Sequence, residues 1–228
     1  MSKFIRHLPC PKCNSKDNLG EYDDHLYCFG CQYYKSKDDL QSIRNRLETK
    51  NNIEISDPIN IDISYDIPSN AMKWLLSYGI SLDEIHHYKF GWSAEKRALI
   101  LLHTKQYWQG RSFGYGPKYI SYGLKPLTIY GAGGTIVLVE DILSAIKVAR
   151  TNVSATPLLG SSLSVENERS LAEKYDTIYV WLDRDKAKNA VKIKNRLKSL
   201  GVYSKAIITD KDPKEYTTQE IEQWLKNK

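Results

Sequence analysis

The side chains with the most chemistry to offer in this sequence stand in two groups. The first is cysteine. Cys10, Cys13, Cys28 and Cys31 read CPKC, fourteen residues, then CFGC, and the rest of the chain has none. A C-x-x-C turn aims two sulfurs at one point, and two such turns complete a tetrahedral shell of four thiolates, the donor set of zinc. Two disulfides are the alternative. The N-terminus MSKFIRHLPCPKC has no apolar signal-peptide core, so the default compartment is a reducing cytoplasm, which disfavours them. Four thiolates close the shell, so the zinc is expected to be structural rather than catalytic. The segment GEYDDHLYCFGC reads as a hairpin with few core residues, and a unit of ~35 residues rarely folds without such a staple. The expectation is a zinc ribbon. Just beyond it, Tyr33 and Tyr34 stand beside Lys35 and Lys37. That mixture suits stacking on single-stranded bases and suits ordinary packing equally.

The second group is acidic. TIVLVEDILSAIKVAR, residues 135–150, runs as a buried strand and then places Glu140 and Asp141 at its end; TIYVWLDRDKA ends the same way with Asp183 and Asp185. Residues i and i+2 of an extended segment point to one side, so both aspartates can face one crevice. Three carboxylates (Glu140, Asp183, Asp185) from two strand ends repel one another, and a divalent cation makes them compatible; hard oxygen donors select Mg²⁺ or Mn²⁺. The competing account is helix caps and surface acids, and Asp141 fits that account better. In TDKDPKEY, residues 209–216, Asp212 or Asp210 could complete the acidic site and Lys211 could reach a phosphate; a polar turn before a capped helix explains them equally.

Cations lie between these groups. From Lys96 to Thr135 the chain carries Lys96, Arg97, Lys105, Arg111, Lys118 and Lys125 and no acid, within a net charge of +6 and a pI of about 8.9. Such a stretch is a solvated face or a polyanion contact.

Elements must position all of this. Asn70–Tyr78 and Ser81–Tyr88 read as short helices, the second opened by a Ser81/Glu84 capping box. Segments 97–104, 106–113 and 117–122 read as an antiparallel meander that carries the cations. From Thr135, strands 136–139, 154–159, 177–182 and 203–208 alternate with helices 142–150, 165–175 and 187–200, and helix 218–226 closes the chain behind a Thr217/Glu220 capping box. That alternation predicts an α/β fold whose parallel sheet is covered by helices on both faces. Functional groups then gather beyond the carboxyl ends of the strands, which is where the acids fall.

Taken in order, these motifs resemble the Toprim-type, DnaG-like DNA primases of bacteria and phages, in particular the primase half of phage primase–helicases. The likeness rests on the four-Cys ribbon, NAMKWLLSYGIS, WQGRSF, PKYISYG, the Glu after an apolar strand and the later D-x-D. It implies zinc on Cys10, Cys13, Cys28 and Cys31. It also implies Mg²⁺ or Mn²⁺ on Glu140, Asp183 and Asp185, with Asp212 as a further ligand, and template or nucleotide contacts from Arg111, Lys118, Lys125 and Lys211. This sequence departs from the family pattern at Asp141, where glycine is usual, and at Ser144, where an acid is frequent. No G-x-x-x-x-G-K-[ST] motif occurs, so no helicase motor is expected in this chain.

The expected layout is a zinc-ribbon template-binding domain over 1–47 and a polar, Pro-punctuated linker over 48–69. A small basic α+β subdomain over 70–134 and a Toprim catalytic subdomain over 135–228 follow. The expected function is a stand-alone primase that makes short RNA primers on single-stranded DNA. Its partners would be ribonucleoside triphosphates and a separate replicative helicase, with no membrane, in a bacterial or phage-infected cytoplasm. A Toprim metal-dependent nuclease and a non-catalytic zinc-ribbon DNA-binding protein are the alternatives.

Overall fold

The computed structural model describes residues 3–36, 60–160 and 162–226. The chain divides into two compact units, Met1–Asp57 and Pro58–Lys228. Lys37 and residues 48–59 of the expected linker lie outside the described residues.

In the first unit, strands β1 (Phe4–Leu8), β2 (Leu19–Tyr22), β3 (His25–Cys28) and β4 (Tyr34–Ser36) form one antiparallel sheet in chain order. Its core is Cys10, Leu19 and Cys28, with Leu8, Leu26 and Tyr33 partly buried against them. Among the described residues so few apolar groups do little to offset the ordering of the strands they hold, which favours a cross-link at the cysteines.

The second unit opens with helices α1 (Ser69–Ser77) and α2 (Leu82–His87) and a sheet of β5 (Gly91–Ser93), β6 (Ala98–His103), β7 (Tyr107–Ser112) and β8 (Tyr119–Gly123), antiparallel in that order. The α2 capping box forms as expected: the Ser81 hydroxyl accepts from Glu84 N, and the Glu84 carboxylate accepts from Ser81 N at 2.8 Å. Strand β5 has no signature in the sequence. It is held partly by the preceding chain, because Ser64 and Trp92 exchange both backbone hydrogen bonds at 2.7 and 2.8 Å. Ile61 and Ile63 pack on Ala98, Ile100 and Trp108. Gly91 permits this approach; a Cβ there would lie 2.3 Å from Ile63 Cγ2 and 2.9 Å from Ser64 O. Residues 60–68, expected in the linker, thus lie along the body of this unit.

The remaining chain runs β9 (Thr135–Val139), α3 (Ile142–Ala149), β10 (Ser154–Pro157), α4 (Val165–Lys174), β11 (Thr177–Val180), a 3-10 turn (Arg184–Lys186), α5 (Ala187–Ser199), β12 (Tyr203–Ala206), a 3-10 turn (Pro213–Glu215) and α6 (Thr218–Lys226). These four strands pair with one another in parallel, in the order β10-β9-β11-β12, and Tyr130 adds an antiparallel bridge to Ala155 at the β10 edge. Alternation along the central strands feeds two cores, as a doubly covered sheet requires. Ile136, Leu138, Ile178 and Val180 join Leu171, Ile193 and Leu197 of α4 and α5. Val137, Val139 and Trp181 join α3, Ile221 of α6, and Leu75 and Leu99 of the preceding subdomain. The chain leaves β9 to one side for β10 and to the other for β11. The crevice between the carboxyl ends of β9 and β11 is therefore the topological switch point.

Candidate active site

The four cysteines converge. Their sulfurs all lie within 4.8 Å of one another, with Cys10–Cys31 and Cys13–Cys28 each 3.7 Å apart. All four are free thiols. Hydrogen bonds from Ser15 pull Cys13 down to about 6. At Cys31 the Tyr33 backbone pulls down, but burial and the neighbouring sulfurs outweigh it and push the thiol up to about 12. Four sulfurs drawn together in this way present the donor set of zinc. On the same unit Tyr22 and His25 stack at 4.4 Å, and His25 stacks on the exposed Tyr34 at 5.2 Å. Tyr33 turns instead toward the small core.

In the second unit β9 and β11 are in register from Thr135↔Thr177 to Leu138↔Val180, and Trp181 N continues the ladder to Leu138 O at 2.8 Å. Glu140 and Asp183 therefore emerge from neighbouring strand ends. With Asp141, Asp212, Lys118, Tyr119 and Lys214 they line one cleft of about 540 Å³. Glu140 Oε2 and Asp183 Oδ1 are buried without a hydrogen-bond partner among the described residues. Burial raises the pKa of both. At Glu140 the charges of Asp185, Asp141 and Asp212 add to the rise and Lys186 opposes it. At Asp183 Lys214 opposes it while Glu140, Asp212 and Asp141 add, and the result is about 7. Two orphaned carboxylate oxygens lining one cleft from neighbouring strand ends fit a hard divalent cation, since Mg²⁺ is usually held by one or two carboxylates plus water and substrate phosphate.

The other acids differ. Asp141 caps α3 as expected, accepting from Ser144 N at 3.0 Å. It also forms an ion pair the sequence did not suggest: Lys214 Nζ lies 2.7 Å from Asp141 Oδ2 and 2.7 Å from Asp212 Oδ2. Asp185 sits on the 3-10 turn, 69% exposed and paired with Lys186 at 2.5 Å, outside the cleft lining although its charge is felt at Glu140. Asp210 pairs with Arg184 at the surface, which leaves Asp212 as the acid from that loop. The acids are not drawn together as the sulfurs are; among the described residues only the cysteines form so tight a group. The loop carrying Asp212 and Lys214 is fixed from beneath. Trp181 Nε1 donates to Thr209 Oγ1 at 2.7 Å, Thr209 Oγ1 donates to Lys211 O at 2.8 Å, and the buried Lys147 Nζ donates to Lys214 O at 2.9 Å.

The four expected cations part ways. Lys118 is exposed at the cleft, its ammonium over the Tyr119 ring at 5.8 Å. Arg111, expected to contact template, is largely committed inward: it donates to Ser112 O at 2.8 Å and Lys118 O at 3.1 Å and lies 5.5–5.8 Å from the Trp74, Phe113 and Tyr119 rings. Lys125 likewise holds structure, donating to Leu158 O at 2.7 Å and Ser162 O at 3.3 Å. Those carbonyls bracket Leu159 and Gly160, a turn with φ of 50° and 130° that lines the cleft. Lys211 opens on an adjoining cavity of about 380 Å³ that shares Tyr78, Lys214 and Glu215 with the first. A charge count along the sequence does not reveal which cations meet carbonyls, and that is why Arg111 and Lys125 read as free.

A four-cysteine ribbon, a small antiparallel α+β subdomain and a parallel sheet with acids at its switch point define a zinc-ribbon plus Toprim-like arrangement. Solved structures of that arrangement match this one. The Aquifex aeolicus primase zinc-binding and RNA polymerase domains match at TM-score 0.58 and 16% identity over 99% of this chain and 80% of that one. A DnaG catalytic core matches at 0.54 and 13% identity, over 71% and 74% of the two chains. A DnaG primase catalytic domain bound to single-stranded DNA matches at 0.54 and 15% identity, over 72% and 76%. The chain has a DnaG-like primase fold. No protein-family model matches the sequence, and no curated protein matches it. Among the described residues no helix is long and apolar enough to cross a membrane.

Proposed function

We propose that this chain is a stand-alone DNA primase, an RNA polymerase that starts short primers on single-stranded DNA in the cytoplasm. The reading includes ribonucleoside triphosphates as substrates and a separate replicative helicase as partner. The observation that supports it best is the pair of buried, unpartnered oxygens of Glu140 and Asp183 below the exposed Lys118, in a fold shared with DnaG primases. Glu140 and Asp183 would hold a divalent cation, which would supply acidity for the attacking 3′-hydroxyl and charge neutralisation at the phosphate oxygens. Asp185 contributes its charge from the rim. Lys118 meets the triphosphate or template phosphate, and the ribbon presents unstacked template bases through Tyr34 and Phe29, both exposed.

The test incubates the chain with single-stranded DNA, labelled ribonucleotides and Mg²⁺ or Mn²⁺. Short labelled oligoribonucleotides are expected; shortened DNA would mean a nuclease, and unchanged DNA without product a binding protein. Losing an outer-shell partner of a metal already costs about 10–100-fold, so Glu140→Gln and Asp183→Asn should each lower primer synthesis by more than about a hundredfold. Affinity for single-stranded DNA should be kept.

A further inference from the structure

Four of the five carboxylates that line the cleft fall into two pairs, and the fifth, Glu215, accepts from Asp212 N. Glu140 and Asp183 present buried oxygens without partners. Asp141 and Asp212 each accept from one ammonium, that of Lys214, at 2.7 Å. Lys214 is no surface lysine that happens to reach across. Its side chain is only 10% exposed, Pro213 beside it is buried, and its carbonyl is anchored by the buried Lys147. Asp141 is fixed by capping α3, with the Ser144 N–H at 3.0 Å and the Ser144 hydroxyl at 3.3 Å. Asp212 is fixed by its own N–H, which donates to Glu215 Oε2 at 3.0 Å. Every member of the triad is thus held in place before any ligand arrives. A buried ammonium between two carboxylates neutralises charge and fills space at the spot where those oxygens could otherwise converge on a cation.

We propose that Lys214 is a built-in cation that restricts this cleft to one divalent metal ion, held by Glu140 and Asp183, and bars a second from Asp141 and Asp212. The inference rests on the metal-binding role given to Glu140 and Asp183 but not on primer synthesis as such. A chain that makes no primers could still bind one ion. The ammonium is tied to the protein and cannot leave with product. The charge around Asp141 and Asp212 therefore stays compensated throughout a cycle, and only the ion at Glu140 and Asp183 exchanges.

The test counts ions rather than turnover. The full chain, saturated with zinc at its cysteines, is titrated with Mn²⁺, and free Mn²⁺ is read by electron paramagnetic resonance without nucleotide. Wild type should bind one Mn²⁺ beyond the zinc. Lys214→Ala should bind two, and Lys214→Arg, which keeps the charge, should bind one. Asp183→Asn should bind none. Since Lys214→Ala could fail to fold, Asp141→Asn gives an independent arm, because asparagine caps a helix as well as aspartate. It should leave the count at one and shift affinity by less than about tenfold, equivalent to about 1.4 kcal/mol. Two ions in wild type, one ion in a folded Lys214→Ala, or loss of the ion in Asp141→Asn would each overturn the proposal. No ion in wild type overturns it together with the metal-binding role of Glu140 and Asp183. Failure of primer synthesis with the ion count intact counts only against the primase reading.

Discussion

Arg111 and Lys118 stand seven residues apart in the same basic stretch, and sequence alone gives them one role. Their surroundings give them two. The Arg111 guanidinium, with two carbonyl acceptors and three aromatic faces around it, ties the β7–β8 turn to α1. Its substitution removes hydrogen bonds and cation–π contacts worth about 1–3 kcal/mol together. Arg111→Ala should therefore lower the melting temperature by several degrees, at roughly 2–4 °C per kcal/mol for a chain of this size. The salt dependence of binding to single-stranded DNA should hold. Lys118→Ala should do the reverse. An exposed ammonium costs less than about 0.5 kcal/mol of stability to remove, but each lost phosphate contact lowers the salt slope by about 0.7 on a single strand. Melting curves and binding isotherms at several salt concentrations separate the two. A changed slope in Arg111→Ala with an unchanged melting temperature would return that residue to the template. Lys214 was illegible for a related reason: its role comes from a loop that Trp181 and Lys147 place against the α3 cap, and nothing local in TDKDPKEY announces that meeting.

Helix α2 shows how an element is held to its neighbour, and how far local signals go. Its start was plain in the sequence because a capping box is a short-range device. Its docking was not, because that depends on Arg150 at the end of α3. Arg150 Nε and Nη2 reach the two oxygens of Glu84 at 2.7 and 2.6 Å, and Nη2 also donates to Gly79 O at 2.9 Å. Burial by itself would raise the Glu84 pKa. Hydrogen bonds from Arg150 and the Ser81 backbone, with the Arg150 charge, more than reverse that and hold it below its ordinary 4.5. A depressed carboxylate pKa adds stability that is fully present above the unfolded value and is lost as the pH falls through the folded one. Arg150→Ala leaves a partly buried carboxylate without its cation, held only by the Ser81 N–H, at a cost of about 1–3 kcal/mol. Its melting temperature should therefore trail wild type at neutral pH, and the gap should narrow as the pH drops below 4.5, where Glu84 is protonated in the variant first. A gap of constant size across that range would mean that Arg150 acts through packing alone. The strand–helix rhythm from Thr135 onward was legible for the same reason as the caps, since apolar runs and 3.6-residue periodicity are properties of single elements. Strand β5 was not; three residues with no pattern become a strand because they pair with β6 on one side and Ser64 comes back to pair with Trp92 on the other.

At the scale of the whole chain, each of the two units has a core of its own, and that separates what each can be asked to do. Pro58–Lys228 contains both cores on which the parallel sheet rests and all the acids of the cleft. Met1–Asp57 contains the four sulfurs and, among the described residues, a core of three buried residues. Cys28→Ser in the full chain should accordingly lose zinc and raise proteolysis within the first unit, since so small a core does not stand without the metal, while the second unit melts as before. The position of a cut is sharper still. A boundary drawn from composition would fall near Ile67, but Ser64 pairs with β5 and Ile61 and Ile63 cover Ile100 and Trp108. A fragment from Ile67 should therefore melt lower than one from Pro58. On the proposed primase reading, the Pro58–Lys228 fragment, with its acids intact, should extend a short oligoribonucleotide already paired to template, because that step would use only the cleft and Lys118. It should not start a primer from two free nucleotides, because nothing then holds the template beside the first nucleotide. Covalent linkage keeps the ribbon at an effective concentration on the order of millimolar, so adding it back as a separate chain at micromolar concentration should restore little initiation. Primers begun at the same template sites by the fragment and by the full chain would assign the ribbon's zinc to folding or partner docking and move template reading to the second unit.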